Sequence, residues 1–169
     1  MNHAGRIDFL LQKYSKGLVR YTAGILKDIE AAKEIVQEAF LKLLQSKDVA
    51  NENVQAWLFR ECRCRAIDQW RKNRRVSHFN EDEMGFSPSN PLHDLETQRD
   101  LVVMNQAIAR LSPRHREALF LKYKDGLSYK EIAEVMELTA TNVGFILHEA
   151  MTALREAADV PESKRKYGE

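Results

Sequence analysis

A chain of 169 residues, 44% hydrophobic and 30% charged, has the make-up of a folded globular protein and room for one large domain or two small ones. No apolar run reaches the length of a membrane-spanning helix, and the start, MNHAGRIDFLLQKYSKG, lacks the apolar stretch of a secretion signal, so no membrane insertion and a cytoplasmic location are expected. The net charge is only +1, with 26 basic against 25 acidic residues, but the charges are not mixed evenly. Residues 60–75 carry Arg60, Arg63, Arg65, Arg71, Lys72, Arg74 and Arg75 against Glu61 and Asp68. Residues 76–100 carry Glu81, Asp82, Glu83, Asp94, Glu96 and Asp100 against Arg99. A basic block followed by an acidic one makes two opposed local fields that cancel in the total.

In chain order, Ile7, Leu10, Leu11, Tyr14, Leu18, Tyr21 and Ile25 recur at spacings of three and four and predict a helix over 6–26. Asp28 is an expected N-cap for a second helix reaching about Leu44. Its apolar face holds Ile29, Ala32, Ile35, Val36, Phe40 and Leu43, and its polar face holds Glu30, Lys33, Glu34, Gln37, Glu38 and Lys42. The polar run QSKDVANEN reads as a loop. A third helix is expected from about Val54 to Asn73, where Arg60, Arg63, Arg71 and Arg74 share a sector with Ile67, so its core face and basic face overlap. Trp57 and Trp70 on this helix suit a core, or stacking on unpaired bases. Cys62 and Cys64 point apart on it and neither bridge nor share a metal. The five histidines have no metal-ligand spacing, and no metal or cofactor is expected.

Gly85, Pro88 and Pro91 break the helical pattern over 76–93 and mark a domain boundary. Asp94 is a candidate cap for a helix through Leu111. Ser112-Pro113 stops that helix and starts the next, which ends at Asp125-Gly126. Ser128 opens a Ser-x-x-Glu capping box, Glu137-Leu138 turns the chain, and Thr139 begins a last helix to about Ala157. No strand pattern occurs, so the fold class is all-α, with two small helical domains.

Residues 128–147 have the form of a helix-turn-helix. Ala133 is the small residue at the crossing, Ile132, Leu138, Val143 and Ile146 are the buried set, and Thr139, Thr141 and Asn142 are the polar start of the second helix. Glu137 stands where such turns often carry Gly. Nothing in the chain suggests an enzyme: it has no Gly-rich phosphate loop, no His-Glu-x-x-His and no nucleophile beside a base.

The stretch LVRYTAGILKDIEAAKEIVQEAFLKLLQ, with AWLFRECRCRAIDQWRKNRR, resembles the second conserved domain of extracytoplasmic-function sigma factors of the sigma-70 family. LSPRHREALFLKYKDGLSYKEIAEVMELTATNVGFILHEAMTALRE resembles their fourth. The resemblance implies domain 2 over 1–76, a flexible acidic linker over 77–93, domain 4 over 94–160 and a tail over 161–169. It implies core RNA polymerase and promoter DNA as partners, with regulation by an anti-sigma factor or by a closed arrangement of the two domains.

By the same resemblance, Glu34, Gln37 and Glu38 form the polymerase-docking patch. The loop 46–54, with Asn51 and Asn53, captures a base flipped from the melted −10 element. Arg60, Arg63, Arg71, Lys72, Arg74 and Arg75 contact −10 DNA, and the helix-turn-helix reads the −35 element. One departure stands out. Where many members run Val-Lys-Ser-Arg-Leu-His-Arg-Ala-Arg, this chain runs from Val143 to Met151 without a basic residue other than His148. The −35 contact is therefore expected to lean on Arg114, Arg116, Lys130, Thr139, Thr141 and Asn142. Phe145 and Met151 are expected either in the core or against a protein surface. Two other readings fit less: a one-component regulator leaves the Glu34-Gln37-Glu38 helix unexplained, and a decoy that has lost −35 recognition fits only the missing basic residues.

Overall fold

The computed structural model describes residues 3–46, 53–88 and 99–166. All regular structure in them is helical: α1 (His3–Leu26), α2 (Ile29–Gln45), α3 (Val54–Arg74), α4 (Glu81–Met84), α5 (Arg99–Arg110), α6 (Pro113–Tyr123), α7 (Tyr129–Met136) and α8 (Ala140–Lys166). The helix starts follow the cap chemistry. Asp28 accepts from the Ala31 N–H, Ser112 from that of His115, and Ser128 closes a full capping box with Glu131. Asp94, an expected cap, and Asn51 lie outside the described residues. The segment set apart as a tail continues as helix to Lys166.

α1, α2 and α3 pack into a three-helix first domain around Leu18, Ile25, Ile35, Phe40, Leu58 and Phe59. α5 to α8 form the second around Leu121, Leu127, Ile132, Val143 and Ala150. Both are the helical units expected. The two sets of buried residues form one continuous core, because α7 lies against α3 and α4 against α6. Trp70 is buried and takes the core role, while Trp57 is half-buried beneath the Lys42 ammonium.

The first part of the expected linker is built into this body. Phe86 is fully buried, with its ring 5.7 Å from that of Tyr21 and 5.8 Å from that of Phe120. A Cβ on Gly24 would come within 2.7 Å of the Phe86 ring, so glycine is needed there for the ring to fit. The Ser87 N–H donates to Gly24, Lys27 Nζ donates to the Gly85 carbonyl, and Arg116 Nε donates to the Phe86 carbonyl. A segment rich in helix breakers still carries one large aromatic ring, and burying that ring outweighs the breakers' preference for solvent.

Candidate nucleic-acid interface

The exposed acid-Gln-acid patch comes first in the chain. Glu34, Gln37 and Glu38 all lie on the solvent face of α2, while Ile35, Val36, Ala39 and Phe40 fill the core behind them. Glu38 pairs with Arg65 of α3 at 2.6 Å. A shallow groove between the two helices is lined by Glu34, Glu38, Asp68 and Lys72. Lys72 is exposed and lines this groove together with Arg65 of its own helix.

The arginine face of α3 is divided. Arg60, Arg74 and Arg75 are exposed, and Arg74 lies over the Trp70 ring at 5.2 Å. Arg71 is half-buried beside Asp68. Arg63 is only 4% exposed. Its Nε donates to Glu117 Oε1 at 2.7 Å, and Tyr21 Oη donates to the same oxygen at 2.6 Å. Glu117 and Tyr21 are both fully buried. Burial, reinforced by the Glu117 carboxylate, pushes the Tyr21 phenol well above its ordinary range. Burial works against the Arg63 charge, but Glu117 outweighs it and holds the guanidinium protonated. Arg63 Nη2 also reaches Glu81 of α4 at 3.4 Å, and Glu81 pairs with Arg114 of α6 at 2.9 Å. The run Tyr21–Glu117–Arg63–Glu81–Arg114 thus ties α1, α3, α4 and α6 together.

Further contacts cross between the domains along the same seam. Asn53 caps α3 by accepting from the Ala56 N–H, and its amide donates to Glu131 of α7. Gln55 donates to the Asp125 carbonyl at 2.7 Å. The Cys64 thiol is raised first by burial and next by Glu137, the C-cap residue that follows α7. Acidic residues of the second domain therefore face the basic helix of the first. Cys62 is sealed in the core, where burial pushes its thiol up to about 12.

In the helix-turn-helix, Ile132, Ala133, Val143 and Ile146 are buried as expected, and the partly buried Leu138 packs against them. Thr139 accepts from the Asn142 N–H and so opens α8. Lys130, Thr139, Thr141 and Asn142 are exposed, as is Phe145, while Met151 packs on the core. Arg116 is not free: its guanidinium donates to the carbonyls of Phe86, Ala109 and Leu111. Four residues expected on DNA, Asn53, Arg63, Arg114 and Arg116, are thus held by contacts within the chain.

Two family descriptions match this chain. Sigma-70 region 2 matches residues 10–76, and sigma-70 region 4 matches residues 101–154. The chain belongs to the sigma-70 family of RNA polymerase sigma factors, in the extracytoplasmic-function branch. It is 28% identical to the sigma factor SigM of Bacillus subtilis over 88% of this chain and 93% of that one. It is 29% identical to SigL of Mycobacterium tuberculosis over 86% and 85%. In fold it is similar to a chain from the co-crystal structure of the sigma factor RpoE with the anti-sigma factor NepR from Bartonella quintana. The TM-score is 0.64 at 24% identity, covering 92% of this chain and 98% of that one. Sigma factors act with core RNA polymerase and are not themselves enzymes. Among the described residues of this sigma factor no helix is long and apolar enough to cross a membrane.

The sequence marks Tyr21 only as part of the apolar face of the first helix and Glu81 only as part of the acidic block, and it does not single out Phe86 or Glu117. A signal was present for Glu117. It lies four residues before Leu121 and directly before the run from Ala118 to Leu121, on the face of α6 that faces inward.

Proposed function

We propose that this sigma factor docks on core RNA polymerase through Glu34, Gln37 and Glu38 and directs it to specific promoters. The observation that carries the reading is an exposed acid-Gln-acid patch on region 2 combined with an exposed polar start to the second helix of the helix-turn-helix in region 4. In the engaged state Asn51, Asn53, Arg60, Arg63, Arg71, Arg74 and Arg75 would face the −10 element. Lys130, Thr139, Thr141, Asn142 and a freed Arg114 would face the −35 element. The RpoE chain of similar fold is in complex with an anti-sigma factor, and we assign this sigma factor a partner of the same kind.

The test is in vitro transcription with core polymerase, on promoters mapped from transcript starts after overproduction. Specific starts are expected, and they disappear when Glu34, Gln37 and Glu38 are replaced by Ala. Binding to core without any specific start would mark the chain as a decoy. Arg114→Ala should weaken promoter binding at all sequences and flatten its salt dependence. An unchanged salt slope would remove Arg114 from the interface.

A further inference from the structure

Phe145 stands on the outer face of α8 with 64% of its surface exposed, while Val143, Ile146 and Leu147 around it are buried. Of the two places expected for it, the core is therefore ruled out. Its neighbours on that face are the residues assigned above to DNA. At about 100° per residue, Phe145 lies roughly 40° from Thr141 and roughly 60° from Asn142, about one turn further along the helix. No Lys or Arg occurs from Thr139 to Leu154, so this face has no side chain to pair with phosphates by full charge. The acid one turn on, Glu149, is partnered by His115 Nε2 of α6 at 3.0 Å.

The residue before the ring is Gly144, and a glycine inside a helix weakens it. Packing does not call for it: a Cβ there would come no closer than 3.7 Å to the Tyr129 ring, an ordinary contact. A missing side chain beside an exposed ring suits a place where another surface comes close. In a helix-turn-helix that surface is the major groove, which the start of the second helix enters. Thymine alone among the bases shows a methyl group there, and an apolar side chain such as Phe packs on it. The setting of the ring matches. It is one apolar group among the exposed Thr141, Asn142 and His148, as the thymine methyl is one apolar group among polar base edges. A protein interface centre would gather several apolar side chains instead.

We propose that Phe145 is a specificity-determining residue, packing on the 5-methyl group of a thymine in the −35 element, one or two base pairs from the pair that Asn142 reads. This rests on the assignment of the helix-turn-helix to −35 DNA made above, and it adds which base is selected and by what contact. The spacing follows from about 5 Å along the helix against about 3.4 Å per base pair. The ring supplies discrimination between bases where this face of α8 has no charge to supply affinity.

Deoxyuridine tests this, because it differs from thymidine only in lacking the methyl group. The full-length chain is combined with core polymerase on promoter duplexes taken from mapped transcript starts. Each thymine of the −35 element, on either strand, is replaced in turn by deoxyuridine, and the holoenzyme concentration giving half of the open complexes is measured. At one thymine, wild type should need about fourfold more holoenzyme, the worth of one buried methyl group. F145A should need at least fourfold more on the thymine duplex and should no longer tell it from the deoxyuridine one. Because the ring is exposed, F145A should keep the wild-type melting temperature and its affinity for core polymerase.

A promoter with no methyl-sensitive thymine overturns the assignment, and so does a sensitivity that F145A retains. Loss of core binding in F145A overturns it as well, since the ring would then face protein. If wild-type holoenzyme opens no promoter, the sigma reading fails and this one with it; open complexes without methyl dependence remove Phe145 alone.

Discussion

At the seam between the domains, one carboxylate has no good partner. Asp125 Oδ2 is buried without a hydrogen bond, and burial pushes the carboxyl up to about 7 despite the nearby Arg20 of α1 and Lys124. The sign of the effect follows from linkage. A carboxyl whose pKa is raised in the closed body binds more protons there than in the open or unfolded chain. Its favourable contribution is complete below the ordinary Asp pKa and is lost as pH rises towards about 7. The closed body should therefore be less stable at pH 8 than at pH 5.5 as far as this group is concerned. Asp125→Asn should flatten that part of the profile and be more stable than wild type at pH 8. Urea unfolding at several pH values checks it; parallel profiles for the two proteins would show that Asp125 does not govern the slope.

Among the helices, the caps were the most legible part of the sequence, because a Ser or Asp before an apolar-periodic run satisfies N–H groups that nothing else can reach. Asp28, Ser112 and Ser128 all act as expected. The division of α3 was not legible. Arg63 and Ile67 share a sector of one helix, and periodicity cannot tell an arginine that faces solvent from one that faces a carboxylate of another domain. The turn of the helix-turn-helix lies between these cases. Glu137 stood out in the sequence as a non-glycine in a glycine-like place, and it adopts the left-handed conformation with φ 57°. A side chain with a Cβ pays roughly 1 kcal/mol for that backbone. Glu137→Gly is expected to raise the unfolding free energy by about 1 kcal/mol in chemical denaturation, less the cost of a more flexible unfolded chain. A loss of more than that amount would mean that the carboxylate itself holds α7 against α3.

At the scale of the whole molecule, the two domains and their order were readable because each carries its own apolar periodicity. Their union was not, because it depends on single residues far apart in sequence: Tyr21 with Glu117, Gly24 with Phe86, Gln55 with Asp125. Phe86 is the residue on which this union can be tested most directly. It belongs to neither three-helix core nor helix-turn-helix, yet it is fully buried between Tyr21 and Phe120. Truncating a buried Phe removes its contacts and leaves a cavity, typically costing about 3–5 kcal/mol. Here most of that cost falls on the contact between domains, since the segment meets Gly24 of α1 on one side and Arg116 of α6 on the other. Phe86→Ala should therefore part the domains before it melts either. Small-angle scattering of the wild type should give a radius of gyration near that of a packed chain of this length, about 15 Å, with an increase for the ends. The variant should give a clearly larger value at unchanged helical circular dichroism. An equal radius would show that the ion pairs of Glu117 and Glu81 hold the domains without the ring, and a loss of helix signal would show that the two domains depend on each other to fold.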